Sequence, residues 1–291
     1  MQLPPPAHPC TLGFMPFFAR INEGKFAAAL EITPPKSDRP AVLLRRARLL
    51  GNAVQAINLI QRPGRQSSLD ASIALREAGL NPAWHLVNRG RSRASLRDDL
   101  ARAVHAGIRQ VLCIRGDHDA EDAPDTPKLY ELVAMACEAL PSSAIGVTLN
   151  QYAPRMDAVF RNLGPKIRAG ARYVQTQPVF DLEHLRPAAQ RLRDQFPDTR
   201  LVAMAMPLLS VDDASRIGQR LGIELPPALF KQIEAGPETA WECFEDTLRA
   251  LAESPLVDGV AIMTFEMDPA PELAARIAQG LVSCGACDPF E

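Results

Sequence analysis

Side chains able to do chemistry follow a short apolar run near the middle of this chain. The run Gln110–Ile114 ends abruptly at Arg115, Gly116 and Asp117. Gly116 would let a ligand approach the backbone, Arg115 offers a planar fork of donors, and Asp117 offers acceptors or a proton. The run is short, aliphatic and preceded by Ala106-Gly107, a pair typical of a helix end. It is therefore predicted to be a buried strand that carries reactive groups at its C-terminal end.

A second candidate is Glu31, which lies inside the apolar run Phe26–Ile32 and just before the proline-stiffened segment Thr33–Lys36. Burial disfavours an ionised carboxylate, so the pKa of Glu31 would be raised, as general acid catalysis requires. The alternative is an inward glutamate paired with a lysine or arginine. The residues alone favour neither interpretation.

Amide and imidazole side chains stand near the ends of other runs. Each amide offers both a donor and an acceptor, which suits a flat heterocycle. A lone histidine such as His85, beside Trp84, is more often a hydrogen-bonded core residue than a catalyst. Carboxylates and histidines are too sparse to predict a metal site. The amides are Asn58, Gln61, Asn88, Asn150, Gln151, Gln175 and Gln177.

Strand-like apolar runs alternate with longer amphipathic stretches along the chain. The predicted strands are Phe26–Ile32, Val54–Ile60, Pro82–Val87, Gln110–Ile114, Ala144–Leu149, Ala171–Thr176, Arg200–Ala205 and Gly259–Met263. The predicted helices are Pro40–Leu50, Ser68–Ala78, Ser92–His105, Thr126–Leu140, Arg155–Ala169, Leu182–Gln195, Val211–Leu221 and Leu273–Val282. Eight such units over about 250 residues predict an α/β fold, the closed (β/α)8 TIM barrel, with reactive groups at the C-terminal strand ends.

The long interval before the eighth predicted strand contains Ala228–Ala235 and Thr239–Glu253, which are predicted to be extra helices. Neither a linker nor a repeated motif interrupts the pattern. The chain is therefore predicted to be a single catalytic domain over 1–291 with a proline-rich N-terminal leader at 1–16. A doubly wound open sheet is the alternative, although no glycine-rich dinucleotide fingerprint follows the first run.

Composition excludes several classes of partner. The chain has 291 residues, is 47% hydrophobic and carries a net charge of −2, which argues against binding nucleic acid or an anionic membrane. No apolar run approaches the roughly 20 residues that span a bilayer. Six scattered cysteines are expected to be thiols, and the pair Cys284 and Cys287 lacks the further ligands of a structural zinc site. A cytoplasmic protein with a small-molecule ligand is expected, and a homo-oligomer is left open.

With these residues in order, the chain resembles the methylenetetrahydrofolate reductase family, a group of flavin-dependent (β/α)8 barrels of one-carbon metabolism. The resemblance runs from about Phe26 to Met263. The segments that carry it are Glu31–Lys36, Trp84–Leu86, Ala106–Ile108 with Ile114–Asp117, and Lys166–Ala171 with Thr176–Gln177 and Phe180–Asp181.

The resemblance implies reduction of 5,10-methylenetetrahydrofolate to 5-methyltetrahydrofolate, as in methionine biosynthesis, with FAD as cofactor and NADH or NADPH as co-substrate. Two hydride transfers would share one site, giving ping-pong kinetics. Glu31 resembles the family's catalytic acid, which assists opening of the imidazolidine ring. Asp117 resembles the carboxylate that hydrogen-bonds the pterin near the flavin, and Gln177 the amide that contacts folate and the nicotinamide donor.

The resemblance also assigns residues to FAD and exposes departures from the family pattern. The FAD-binding positions it implies are Asn58, His85, Arg115, Gly116, Asp117, Asn162 and Lys166. The segments that depart are Asn150–Arg155, Met206–Ser210 and Thr264–Met267, the last where the family has an arginine for the folate tail. Two alternatives therefore stay open: a flavin barrel using another electron donor or a partner subunit, and a non-catalytic pterin-binding subunit.

Overall fold

The computed structural model describes residues 16–116 and 121–287. Eight parallel strands form a closed barrel in sequence order, with the last strand paired to the first. They are β1 (Ala27–Ile32), β2 (Ala56–Leu59), β3 (Pro82–Val87), β4 (Gln110–Ile114), β5 (Ala144–Leu149), β6 (Tyr173–Pro178), β7 (Arg200–Ala205) and β8 (Gly259–Met263). The predicted (β/α)8 TIM barrel is confirmed, and the open-sheet alternative is wrong because the sheet closes.

Helices surround the barrel and occupy the intervals between strands. They are α1 (Pro16–Asn22), α2 (Pro40–Ala47), α3 (Ser68–Glu77), α4 (Arg93–His105), α5 (Leu129–Ala139), α6 (Met156–Arg168), α7 (Leu182–Gln195), α8 (Val211–Leu221), α9 (Pro227–Glu234), α10 (Pro237–Glu253) and α11 (Pro271–Ser283). The two extra helices predicted before the last strand are therefore confirmed as α9 and α10. Of the helices between β7 and β8, α10 packs against β8, α7 and α11 and completes the outer ring.

The predicted bounds were wrong by two residues at each end of the sixth strand. Its chain reaches the sheet only at Tyr173, after the turn at Gly170, whose φ is +116°. The pairing with β7 then shifts register between Gln175 and Pro178. This irregularity extends the strand to Pro178, which pairs with Met204, so Gln177 belongs to the strand end and not to the loop.

Helix α1 was not predicted from the sequence. Its side chains Phe17, Phe18 and Ile21 are buried at the N-terminal end of the barrel. The proline-rich leader at 1–16 lies, apart from Pro16, outside the described residues. One barrel accounts for every strand of the described residues, and the single-domain division of the whole chain stays a prediction.

Side chains alternate along each strand between an outer layer and the barrel interior. The outward residues of β1, Ala28, Leu30 and Ile32, pack in the main hydrophobic cluster with the helices. The inward residues Ala27 and Ala29 belong to a separate interior cluster. Glu31 continues that inward series, so this register directs its carboxyl group into the barrel at the C-terminal end.

No helix within the described ranges is long and apolar enough to cross a membrane. Within residues 16–116 and 121–287, no group of three or more His, Cys, Asp or Glu side chains could hold a metal ion.

Candidate active site

A cavity of about 650 Å³ lies at the C-terminal ends of the strands. Its described lining residues are Glu31, Ile60, Gln61, Arg62, Pro63, Arg65, His85, Leu112, Ile114, Gly116, Thr148, Gln175, Thr176, Gln177, Pro178, Met204, Arg220, Leu221 and Met263. A second groove of about 620 Å³ is lined by helix and loop residues around α7 and α10. We place the candidate site in the first cavity, because reactive groups of this fold come from the strand ends.

Glu31 is held at the floor of this cavity by a chain of two amides. Glu31 is only 6% exposed. The Gln175 Nε2–H donates a hydrogen bond to Glu31 Oε2 over 2.9 Å. The Asn58 Nδ2–H in turn donates to Gln175 Oε1 over 3.1 Å. Because Asn58 donates a hydrogen bond to Gln175, and Gln175 donates one to Glu31, the carboxyl group is fixed in one orientation.

Burial raises the pKa of Glu31, and this effect outweighs the hydrogen bonds from Gln175 and Asn58 and the charges of Arg62 and Arg220, which lower it. No lysine or arginine of the described chain forms an ion pair with Glu31. The carboxyl group therefore retains its proton to higher pH than an ordinary glutamate, and it can donate that proton inside a water-poor site. Of the two interpretations left open by the sequence, the geometry favours the desolvated acid.

His85 lies beside this carboxyl group, with its Nε2 3.9 Å from Glu31 Oε2. Burial lowers the pKa of His85 to about 4, so the imidazole is neutral at pH 7 and forms no true ion pair. Its Nε2 is buried and has no hydrogen-bond partner within the described residues, and the same holds for Asn58 Oδ1. Unpaired buried polar atoms beside a cavity are typical of positions that a ligand completes.

Gly116 lines the cavity in a conformation that no other residue would adopt without strain. Its φ is +91°, and a Cβ at this position would lie 2.4 Å from Val87 Cγ1. Arg115 is largely exposed and its Nη2 donates to Asp122 Oδ2 over 2.5 Å. Asp117, the predicted pterin carboxylate, lies outside the described residues.

Gln177 lines the cavity at the end of β6. It is supported by Gln151, which lies after β5 in the segment Asn150–Arg155 that differs from the family pattern. The Gln177 backbone N–H donates to Gln151 Oε1 over 3.1 Å, while Gln151 Nε2 donates back to the Gln177 carbonyl over 2.9 Å. Gln151 therefore fixes the irregular end of β6 and leaves the side chain of Gln177 facing the cavity.

The remaining predicted FAD positions lie away from this cavity, on the outer helix α6. Asn162 is exposed, and Lys166 is partly buried in the last turn, where burial lowers its pKa. Neither is among the described residues that line the cavity. The structure thus brings together Glu31, His85, Gly116 and Gln177, with Asn58 touching them through Gln175, but it does not bring Asn162 and Lys166 to the same place.

Sequence reasoning assigned no role to several residues of this site. Gln175 was noted as an amide at a strand end, but its contact with Glu31 joins strands that are 144 residues apart. Arg62 and Arg65 were visible as cations after the second strand, and Arg220 stood at the end of a predicted helix. Only the closure of the barrel and the position of α8 reveal that these groups share one cavity.

A family model described as methylenetetrahydrofolate reductase matches residues 17–273. The chain belongs to this family. The matched range includes all eight strands and every cavity-lining residue described above. Membership confirms the resemblance that the sequence motifs indicated.

Solved structures share the barrel of this methylenetetrahydrofolate reductase family member at low sequence identity. An uncharacterized protein from Clostridium thermocellum that binds two copies of 5-methyl-5,6,7,8-tetrahydrofolic acid has a TM-score of 0.66 and 13% identity, covering 91% of this chain and 98% of its own. Tryptophan synthase from M. tuberculosis, in an open form with BRD0059 bound, has a TM-score of 0.58 and 11% identity, covering 95% and 99%. At these identities the likeness establishes the fold alone.

Proposed function

We propose that this chain reduces 5,10-methylenetetrahydrofolate to 5-methyltetrahydrofolate, with FAD as cofactor and NADH or NADPH as the electron donor. The observation that carries the proposal is the buried carboxyl group of Glu31, whose pKa is raised and whose orientation is fixed by Gln175 in the strand-end cavity. Family membership supports the same reaction. The folate bound by the structurally similar Clostridium thermocellum protein is of the same chemical class.

The residues of the cavity fit a flavin. His85 Nε2 and Asn58 Oδ1 are buried polar atoms without partners among the described residues, so a ring with donors and acceptors at its edge would satisfy them. Gly116 lines the cavity without a side chain, so a flat group can approach its backbone there. Bound FAD would supply the hydride chemistry, taking a hydride from the nicotinamide and giving it to the folate.

Glu31 is the proposed proton donor. In the substrate a methylene group bridges N5 and N10, and opening the five-membered ring makes N10 the leaving nitrogen. Protonation of N10 by Glu31 would assist that cleavage and leave a reactive iminium at N5. A carboxyl group whose pKa is raised by burial suits this step, because it holds its proton to higher pH than an ordinary glutamate and can donate it to N10.

Further residues are assigned supporting roles. The side chain of Gln177 would orient the folate and the nicotinamide in turn, since an amide can both donate and accept. Asp117 is proposed to hold the pterin, and Arg115, Asn162 and Lys166 to contact FAD, on the family resemblance. As a single-domain enzyme of cytoplasmic one-carbon metabolism, the protein would supply methyl groups for methionine biosynthesis.

The visible spectrum of the purified protein, before and after reconstitution with FAD, tests this function. We expect flavin absorbance that bleaches with NADH or NADPH and returns when methylenetetrahydrofolate is added, with 5-methyltetrahydrofolate as product. Bleaching by neither nicotinamide would contradict the proposed donor and favour another electron donor or a partner subunit. Failure to hold FAD at all would contradict the enzyme and favour a pterin-binding subunit.

A further inference from the structure

Three arginines line the cavity, and none of them forms an ion pair within the described residues. Arg62 and Arg65 lie in the loop after β2, and Arg220 lies in the last turn of α8. Among the residues that the structure describes, none of the three guanidinium groups forms a hydrogen bond or an ion pair. A guanidinium group has five N–H donors and is always charged, so it readily binds a carboxylate or a phosphate.

Other arginines around the same end of the barrel are paired within the protein. Arg46 donates from Nε to Asp268 Oδ1 over 2.9 Å and from Nη1 to the Thr33 carbonyl over 2.9 Å. Arg45 also binds Asp268, over 2.7 Å. The three arginines of the cavity wall differ from Arg45 and Arg46, because no acidic group of the described residues pairs with them and a ligand anion can reach them.

Arg62 and Arg220 are close enough to act on each other and on Glu31. Partial burial lowers the pKa of Arg220 and the positive charge of Arg62 lowers it further, whereas the nearby carboxyl group of Glu31 raises it. Both arginines also lower the pKa of Glu31. A ligand anion between the two guanidinium groups would offset their repulsion, which points to a negatively charged group bound near Glu31 and toward the cavity mouth.

The barrel order places this pair on either side of Glu31. Glu31 is on β1, with the Arg62 loop following the neighbouring strand β2 and α8 following β7 on the other side. Of the positions assigned to FAD, Asn58 is on β2 and His85 is on the next strand, β3, so the Arg62 loop adjoins them, whereas α8 does not. The arginine pair therefore flanks Glu31 within the same cavity, where N10 of a folate would have to lie for protonation.

We propose that Arg62 and Arg220 bind the carboxylates of the folate's glutamate tail, an inference that rests on the proposed function. The aminobenzoyl-glutamate tail is attached at N10, the atom that Glu31 protonates in that function. The tail must therefore begin beside Glu31 and leave through the cavity mouth. The segment Thr264–Met267 at the end of β8 supplies no cation for it, whereas Arg62 and Arg220 supply two.

Binding of 5-methyltetrahydrofolate and of its tail-less counterpart, 5-methyltetrahydropteroate, to the FAD-loaded protein tests the inference. In Arg62→Gln/Arg220→Gln the Kd of 5-methyltetrahydrofolate is expected to rise about tenfold, an amount typical of losing charge-assisted hydrogen bonds at a partly exposed site. The Kd of 5-methyltetrahydropteroate is expected to stay the same. The matched control is Arg216→Gln, which removes the same charge from an exposed position one turn earlier on α8 and outside the cavity lining.

The outcomes separate this inference from the proposed function. If the double variant binds both ligands as tightly as the parent, the tail site is refuted while the folate reaction stands. If the variant instead loses FAD, as the visible spectrum would report, the arginines belong to the phosphates of FAD and the inference is wrong. If the FAD-loaded parent binds neither pterin compound, the proposed function and the tail site fail together.

Discussion

The upper and lower halves of the barrel interior are made by the same strands, yet only the upper half groups polar side chains around a cavity. Toward the N-terminal ends the inward residues are mostly alanine and glycine, with aromatic rings filling the space between them. One step of two residues further along, several strands carry polar inward residues, while Ile114, Met204 and Met263 keep other parts of the cavity wall apolar. The changes are Ala29 to Glu31, Ala56 to Asn58, Ala83 to His85 and Tyr173 to Gln175. The lower half is thus built for packing, and the upper half for ligand chemistry.

The lower half shows how small and large side chains divide the space. Gly146 faces Tyr173, and a Cβ on this glycine would lie 2.2 Å from the tyrosine ring. Phe18 of α1 packs on the same ring with centroids 5.0 Å apart. At Gly259 a Cβ would lie 2.7 Å from the Ala27 carbonyl and 3.1 Å from Phe17. Because aromatic rings fill this half, small ligands have room only in the upper half.

The largest effect on this comparison is expected from Glu31→Gln in the upper half. Turnover of methylenetetrahydrofolate should fall about 10²- to 10⁴-fold, because the proposed proton donor is lost while the shape is kept. Flavin content, measured from the visible spectrum, should not change. The matched control is Glu23→Gln, an exposed carboxyl group beyond α1 near the lower end, which should retain full turnover.

The same variant also reports on stability. When a glutamate has a raised pKa in the folded state, stability falls as the pH rises from its unfolded pKa toward its folded pKa, because the unfolded state releases its proton first and is favoured. Glu31→Gln removes that penalty, so its unfolding free energy at pH 8 should equal or exceed that of the parent. A variant that keeps its turnover, or that unfolds more easily at pH 8, would contradict the assignment of Glu31 as a desolvated acid.

In the lower half, Phe17→Ala should change stability and not chemistry. Phe17 is 1% exposed, and truncating a buried phenylalanine costs about 3 to 5 kcal/mol of unfolding free energy. Denaturant unfolding measures this loss, with Tyr130→Ala, an exposed ring on α5, as the control expected to cost far less. If the KM for folate changes in the folded variant at low temperature, the two halves are coupled. The separation between packing in the lower half and ligand binding in the upper half would then be wrong.

The two halves also differ in how well the sequence predicts them. Periodicity located every strand of the barrel and both extra helices, because outward apolar residues repeat at fixed intervals. Glu31 and His85 could be identified as inward polar residues inside apolar runs. The side chains that fill the lower half could not be identified from the sequence. Helix α1 is short, and its aromatic residues contact strands far along the chain. Contacts such as Gln175 with Glu31, and the grouping of Arg62 with Arg220, depend on barrel closure and were equally beyond the sequence.

Lowering the pH should reveal the titration of His85 in the upper half. His85 has an unfolded pKa of 6.5 and a folded pKa of about 4, so between these values the unfolded state binds more protons and stability falls as the pH falls. This residue alone contributes a slope of about 1.4 kcal/mol per pH unit. The raised pKa of Glu31 acts in the opposite direction, so the difference between variants is the quantity to measure.

His85→Gln should remove this slope from unfolding free energies measured between pH 6.5 and 4, whereas His105→Gln, an exposed histidine on α4, should retain it. In the lower half, burial raises the pKa of Tyr173 well beyond this range, so this residue does not titrate there. An identical pH dependence in the parent and His85→Gln would mean that His85 is not held neutral by burial.

The smallest and most specific effect is expected from Gln175→Met, which replaces the amide with an apolar side chain of similar length. Without the Nε2–H that reaches Glu31 Oε2, the carboxylate loses a donor and the pKa of Glu31 should rise further. The basic limb of the turnover profile should move up by about one pH unit, while turnover at pH 7 changes less than about tenfold. Gln190→Met, on the exposed face of α7 where the amide donates only to Asp194, is the control with no expected shift. A structural role for Gln175 would instead lower turnover equally at every pH, so the shape of the profile decides whether the upper half tunes its proposed acid or merely packs around it.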